Sequence, residues 1–341
     1  MRKKKKVSEQ WYDVKELHGH FGLTITFILL KLLPAVCVRI LAFPVGFCYF
    51  LFSKKANAAS RLYLKNLKAF AETKQAKTRI KVSALRHIVS FAISLTEKME
   101  VWLGKFSFKQ IHFQNDDVKD LIQNLENKHG AMVIVSHLGN SEMLRGLAHS
   151  AETGVSYQFP VNAILDTKVT AGFNAMVNKI NASATTDIFS ADDIGPDTIL
   201  ILQEKIERGE LVVIAGDRMS ANTKNRFIMQ DFLGKPAPFA YGAYLLTALI
   251  NAPTYFMFGV RKKDISIFPQ YDMYVHKNPV DFDCSRKERK ERIKQTIENY
   301  ARELEQLCLI HPYQWFNFFD FWYTDNAESD SPATSESSAT D

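Results

Sequence analysis

Cysteine is scarce: Cys37, Cys48, Cys284 and Cys308 are the only four in 341 residues, and no two stand at metal-binding or redox spacing. That excludes a disulfide framework and predicts reduced, structural thiols in a cytosol-facing protein. The GxSxG elbow, the GxxxxGK[ST] phosphate loop, the GxGxxG dinucleotide turn and HExxH are all missing, so no resident cofactor or metal is expected. Long uncharged apolar runs are missing too. The greasiest stretch, Leu23 to Phe52, is interrupted by Lys31, Pro34, Arg39 and Pro44, and its longest uncharged run, Ile40 to Phe52, has 13 residues. A simple spanning helix wants roughly 20, which leaves a span with snorkelling charges, a prolyl-broken hairpin or an interfacial anchor.

What is present is unevenly placed. Hydrophobic residues make up 46% of the chain, enough for a full core, and the net charge is +6. Residues 1–110 hold 21 Lys and Arg against 6 Asp and Glu, while the remainder is acidic. Because these basic residues flank apolar sequence, they point to a membrane surface and not to nucleic acid. A secretory signal has the same outline, but the distance from Met1 to Leu23 and the lack of a small-residue cleavage site argue against it. By the positive-inside tendency the lysines after Met1 are expected on the cytoplasmic side.

Helical periodicity covers 54–102, with Leu62, Leu67 and Phe70 near one face of the first helix and "ALRHIVSFAISLTEKMEVW" as the second. A shorter helix, "VKDLIQNLENKHG", is expected to end at Gly130. Three apolar runs follow, "AMVIV", "LVVIA" and "TYFMFGV", of the length and character of strands buried on both faces. Helical stretches such as "AGFNAMVNKI" and "DTILILQEKIERG" alternate with them. The expected fold is therefore α/β, a largely parallel sheet flanked by helices, with an N-terminal membrane-associating helical segment. "ISIFPQYDMYVH" reads as an edge strand, and the residues after Ser285 as a long amphipathic helix whose basic face is either solvated or a docking surface for an acidic partner or phospholipid. We expect an anchor over 1–53, an α/β domain over 54–323 and a disordered acidic tail over 324–341.

Chemistry concentrates in "HLGNSE". On a continuous helix His137 and Glu142 would stand about 140° apart, so they need a turn to meet. Gly139 and Asn140 can supply it, leaving His137 at a strand end and Glu142 in the first turn of a helix, where its carboxylate could hold the imidazole. Such a dyad, with no Ser or Cys nucleophile beside it, would deprotonate a substrate's own hydroxyl. A strand-end histidine that merely caps a helix is the alternative. A second polar cluster, Gly216, Asp217 and Arg218, should close a neighbouring strand, with Arg218 offering a fork for phosphate or carboxylate, and Asp217 either pairing with Arg218 or orienting the loop. Phe239, Tyr241 and Tyr244 are either core or the lining of an apolar channel.

These residues resemble the lysophospholipid acyltransferase superfamily, in the HxGNxE form of bacterial lipid A and phosphatidylinositol mannoside acyltransferases. "GDR", "FLGKPAPFAYGAYLLTALINAPTYFMF" and the closing "HPYQWFNFFDFW" are similar to further motifs of that branch, over about residues 10–323. The resemblance implies a glycerol-3-phosphate acyltransferase-like fold at the cytoplasmic face of a bacterial inner membrane. The implied reaction is transfer of an acyl chain from acyl carrier protein or coenzyme A to a hydroxyl of a membrane lipid. It implies His137 as general base, Glu142 as its orienting partner, Gly139, Asn140, Asp217 and Arg218 around the substrate, and Asn140 or nearby amides at the oxyanion. The closing segment lacks the basic pattern typical of the lipid A enzymes, which directs the expected acceptor away from lipid A itself. Acylation of an amine, thioester hydrolysis and non-catalytic lipid or acyl-carrier binding are the competing functions.

Overall fold

The computed structural model describes residues 19–76, 79–148, 154–166, 187–218 and 226–322. The lysines after Met1, the stretch "AGFNAMVNKI" and the acidic tail lie outside the described residues. The apolar N-terminal segment forms two helices, α1 (Gly19–Leu32) and α2 (Ala35–Phe52), parted where Pro34 takes extended backbone geometry. Ser53 separates α2 from α3 (Lys54–Thr73), and α4 (Ala84–Trp102) follows with the Ser83 hydroxyl as its N-cap.

Beyond α4 come β1 (Ile111–Phe113), α5 (Asp117–Glu126), β2 (Ala131–Gly139), α6 (Glu142–Ala148), β3 (Val161–Leu165) and β4 (Ile188–Ser190). They are followed by α7 (Pro196–Glu207), β5 (Leu211–Ala215), the hairpin β6 (Phe227–Phe232) and β7 (Lys235–Ala240), and α8 (Tyr241–Ile250). The last elements are β8 (Thr254–Arg261), β9 (Tyr271–Lys277) and α9 (Arg286–Ile310). The main sheet has the order β1-β9-β8-β2-β5-β3-β4, parallel throughout except where β8 meets β9. The three apolar runs are its central strands β8, β2 and β5, as sequences buried on both faces should be. One face packs on α3, α8 and α9 through residues such as Leu67, Tyr244 and Tyr300, and the other on α5 and α6 through Leu121 and Leu144.

Two local expectations change. Helix α5 ends before Lys128, which takes the left-handed conformation, and Gly130 serves instead as a point of close approach, where a Cβ would fall 2.0 Å from the Glu210 carbonyl oxygen. The edge strand expected over Ile265–His276 begins only at Tyr271. It is not the edge, because β1 pairs outside it, and the first half is a turn containing Pro269, which has no N–H for a ladder. The "FLGKPAP" segment is a hairpin turning at Leu233 and Gly234, both at positive φ.

Helix α2 is the one helix among the described residues that is long and apolar enough to cross a membrane. Only Val38, Arg39, Ala42 and Gly46 of its 18 residues are buried. They form one stripe against α4, so close at Gly46 that a Cβ would lie 3.1 Å from the Val89 Cα. Eleven of the seventeen exposed large apolar side chains among the described residues lie between Ile25 and Phe52, so the opposite side of α1 and α2 is an apolar surface. Arg39, which looked like a snorkelling charge, turns inward. Its guanidinium pairs with the buried Glu100 carboxylate of α4 and donates to the Ile267 carbonyl (2.7 Å).

Candidate active site

His137 does not cap a helix. Between Val135 and Gly139 strand β2 advances four residues while β8 advances two, from Met257 to Gly259, so β2 bulges there and re-aims the side chain of His137. The bulge is fixed by backbone contacts. Gly139 has φ +71°, and a Cβ on it would lie 2.0 Å from the Gly259 carbonyl oxygen, so only glycine fits. Residues 314–316 of the closing aromatic segment then run alongside: Gly139 N–H donates to the Gln314 carbonyl (2.8 Å) and Phe316 N–H to the His137 carbonyl (3.0 Å), with a bridge between Leu138 and Trp315.

The carboxylate on the imidazole is Asp217, not the expected Glu142. Strand β5 lies in register beside β2, Val135 opposite Ala215, so the residue two past the end of β5 arrives level with His137. Asp217 Oδ1 accepts from His137 Nδ1 (2.7 Å), while Oδ2 accepts the His137 backbone N–H (2.8 Å) and the Trp315 indole N–H (3.0 Å). Burial works to raise the Asp217 pKa, but the imidazole, the backbone donor and Arg218 outweigh it and hold it down to about 2. An ionised carboxylate only accepts, so Nδ1 carries the proton and Nε2 of the neutral ring is the basic atom. The His137 side chain keeps 31% of its surface open, against 1% for Asp217. Burial, then the charge of Arg218, lowers its pKa, with Asp217 opposing and Lys98 adding to the fall.

Glu142 opens α6 as expected, but its carboxylate turns to α4 and accepts the Trp102 indole N–H (2.8 Å). Asn140 is fully buried, and its Oδ1 accepts the Glu142 backbone N–H (3.1 Å). Its side chain thereby helps to build the turn between β2 and α6. Arg218 donates to the Phe316 carbonyl (2.7 Å) and stacks over Phe319; burial lowers its pKa to about 10, still a cation. Phe239 and Tyr244 are fully buried core residues, and Tyr241 alone of the three is partly exposed.

One site residue was missed from the sequence. On α4 the side chains of Ser94, Lys98 and Trp102 follow at intervals of four, and the outer two touch the active turn: Ser94 donates to the Gly139 carbonyl (3.4 Å), and Trp102 to Glu142. Lys98 stands between them, on the side of the helix about 180° from Val89 and the α2 contact. Burial lowers its pKa, with the charge of Glu142 opposing. The usable signal was polar residues at four-residue spacing on a helix whose other face is apolar.

The strand ends thus bring together an imidazole nitrogen held by an ionised aspartate, with Lys98 and Arg218 beside it, the chemistry of a group that can accept a proton. No side chain on the described strand ends offers a Ser or Cys nucleophile hydrogen-bonded to that ring. The chain belongs to the bacterial lipid A biosynthesis acyltransferase family, whose model matches residues 13–324. It is accordingly an acyltransferase, and the match runs through the closing segment whose composition had pointed away from lipid A. No curated protein matches it.

Proposed function

We propose that the enzyme moves a fatty acyl chain from a thioester of acyl carrier protein or coenzyme A to a hydroxyl of a membrane lipid or glycolipid precursor, at the cytoplasmic face of a bacterial inner membrane. The observation that carries this reading is the His137–Asp217 pair, with Nδ1 at 2.7 Å from the carboxylate and the ring still open. His137 Nε2 takes the proton of the acceptor hydroxyl as its oxygen attacks the thioester carbonyl. The tetrahedral intermediate collapses by breaking the carbon–sulfur bond, and the imidazolium returns the proton to the departing thiolate. Asp217 stabilises the imidazolium without taking its proton. Lys98 and Arg218 surround the base with positive charge suited to a substrate phosphate or to the developing oxyanion. Glu142, held by Trp102, balances Lys98 and so supports the site from behind.

The exposed apolar side of α1 and α2 supports a location at a bilayer. Helix α2 lies against α4, which carries Glu97, Lys98 and Glu100, so α2 cannot cross the hydrocarbon without drawing those charges in. An in-plane anchor with its exposed side in one leaflet satisfies both constraints.

His137→Ala, assayed in membranes with radiolabelled acyl thioester and membrane lipid, is expected to lose at least about 10³-fold in transfer while keeping the wild-type thermal midpoint. Wild-type-like turnover by that variant would reject the base. Release of free acid with no labelled lipid from the wild type would make the enzyme a hydrolase.

A further inference from the structure

The turn between β8 and β9, residues 262–270, plays no part in the site. It is pinned at several points, with the Ser90 hydroxyl on the Asp264 carbonyl (2.9 Å), the Gln314 amide on Asp264 Oδ1 (3.0 Å), Lys262 N–H on the Gln270 carbonyl (2.8 Å), and Arg39 of α2 on the Ile267 carbonyl. Ile265 packs among Ala42 of α2 and Val89 and Ile93 of α4. The tip presents Phe268 at 70% exposure, more than any other exposed large apolar side chain beyond residue 52. An aromatic ring in water on a turn fixed this firmly is held there and has not merely swung out. Lys262 and Lys263 beside it are exposed, and the turn is fastened to α2 through Arg39 and Ile265, at the stripe by which α2 packs on α4.

We propose that this tip is a second membrane-inserting element, with Phe268 entering the same leaflet as the exposed face of α2 while Lys262 and Lys263 meet anionic phospholipid headgroups. The proposal rests on the membrane reading of α2 given above. Its physical basis is an exposed aromatic on a turn fastened to the same helix, together with complementary charge: an aromatic wedge gains by leaving water, and each lysine near an anionic surface adds attraction. Arg39 links the two elements, because one guanidinium holds the α4 carboxylate and the tip backbone together.

The test uses the full chain in vesicles of phosphatidylethanolamine and phosphatidylglycerol with brominated acyl chains. Tryptophan emission of Phe268→Trp and of Phe47→Trp is measured as the difference from wild type, which carries its own indoles. Quenching of both new indoles is the expected result. Quenching of Phe47→Trp without Phe268→Trp would overturn the proposal and leave the α2 anchor standing, whereas quenching of neither would overturn both. If Phe268 is covered by a second copy of the chain, its new indole will emit at short wavelength without lipid and light scattering will report dimers, which also overturns it. In parallel, Phe268→Asp should lower partition to the same vesicles about tenfold at an unchanged thermal midpoint. Unchanged partition would count against the wedge.

Discussion

His87 and His137 both connect to Trp315, one through its carbonyl and the other through Asp217 on its indole, and differ in almost every respect that decides what a histidine does. His87 is fully buried, bonded through Nδ1 to the Ser60 hydroxyl (2.9 Å) and through Nε2 to the Trp315 carbonyl (2.8 Å), with both nitrogens used and no carboxylate in reach of its ring. Burial lowers its pKa to about 4, against the opposing pull of that carbonyl. His137 has one nitrogen committed to an ionised aspartate and one free to take a proton. Both pKa values are lowered, yet only the second group can be a base. A depressed pKa marks a site only when an open nitrogen and a charge to stabilise the protonated ring accompany it.

The largest effect that could break this contrast is removal of the charge at Asp217. Asp217→Asn keeps the shape but favours the wrong tautomer, so kcat should fall about 10³- to 10⁴-fold with little change in fold. Glu142→Gln should cost far less, and the reverse order would return Glu142 to the role the sequence suggested. His87→Ala should act on stability instead, by about 3 kcal/mol, through a cavity and the stranded Trp315 carbonyl and Ser60 hydroxyl. Denaturant unfolding with parallel activity of the folded fraction would separate the two histidines.

pH sharpens the comparison further. The folded pKa of His87 lies below its unfolded value of 6.5, so the unfolded chain binds the proton more tightly. The stability His87 contributes is complete above pH 6.5 and lost as pH falls towards 4. His311, with a pKa of about 4 from burial, adds to the loss in the same window. Thermal midpoints against pH should show that decline, flattened in His87→Gln. The acid limb of kcat/KM should also lie below the ordinary histidine value, because His137 must be neutral to act. The smallest expected effect is in Lys98→Met: removing a cation that faces His137, together with Arg218 and opposite Asp217, should move that limb to higher pH. An unmoved limb would place Lys98 outside the site.

The sequence made the sheet legible where burial left a continuous apolar run, in β2, β5 and β8, and made α4 and the Ser285 cap of α9 legible from periodicity and capping. Strands β1 and β4, three residues each, left no such trace, and β3 carries a buried Asn162 that breaks its run. At the site, His137 and the Gly139 turn could be read because their geometry is local. The partner could not: Asp217 lies 80 residues away and meets the ring only through the pairing of β2 with β5, while Glu142 was conspicuous by nearness in sequence alone.

The contact between Arg39 and Glu100 bears on how this enzyme can be made. Trimming the chain at residue 53 to obtain a soluble catalytic fragment would uncover Val89 and Ile93 and leave a buried carboxylate that burial already pushes up and Arg39 holds down. Losing one partner of such a pair costs about 3–5 kcal/mol, comparable to the whole folding stability of many domains. Helix α2 is therefore no detachable leader, and a productive expression strategy keeps it and supplies detergent for its outer side.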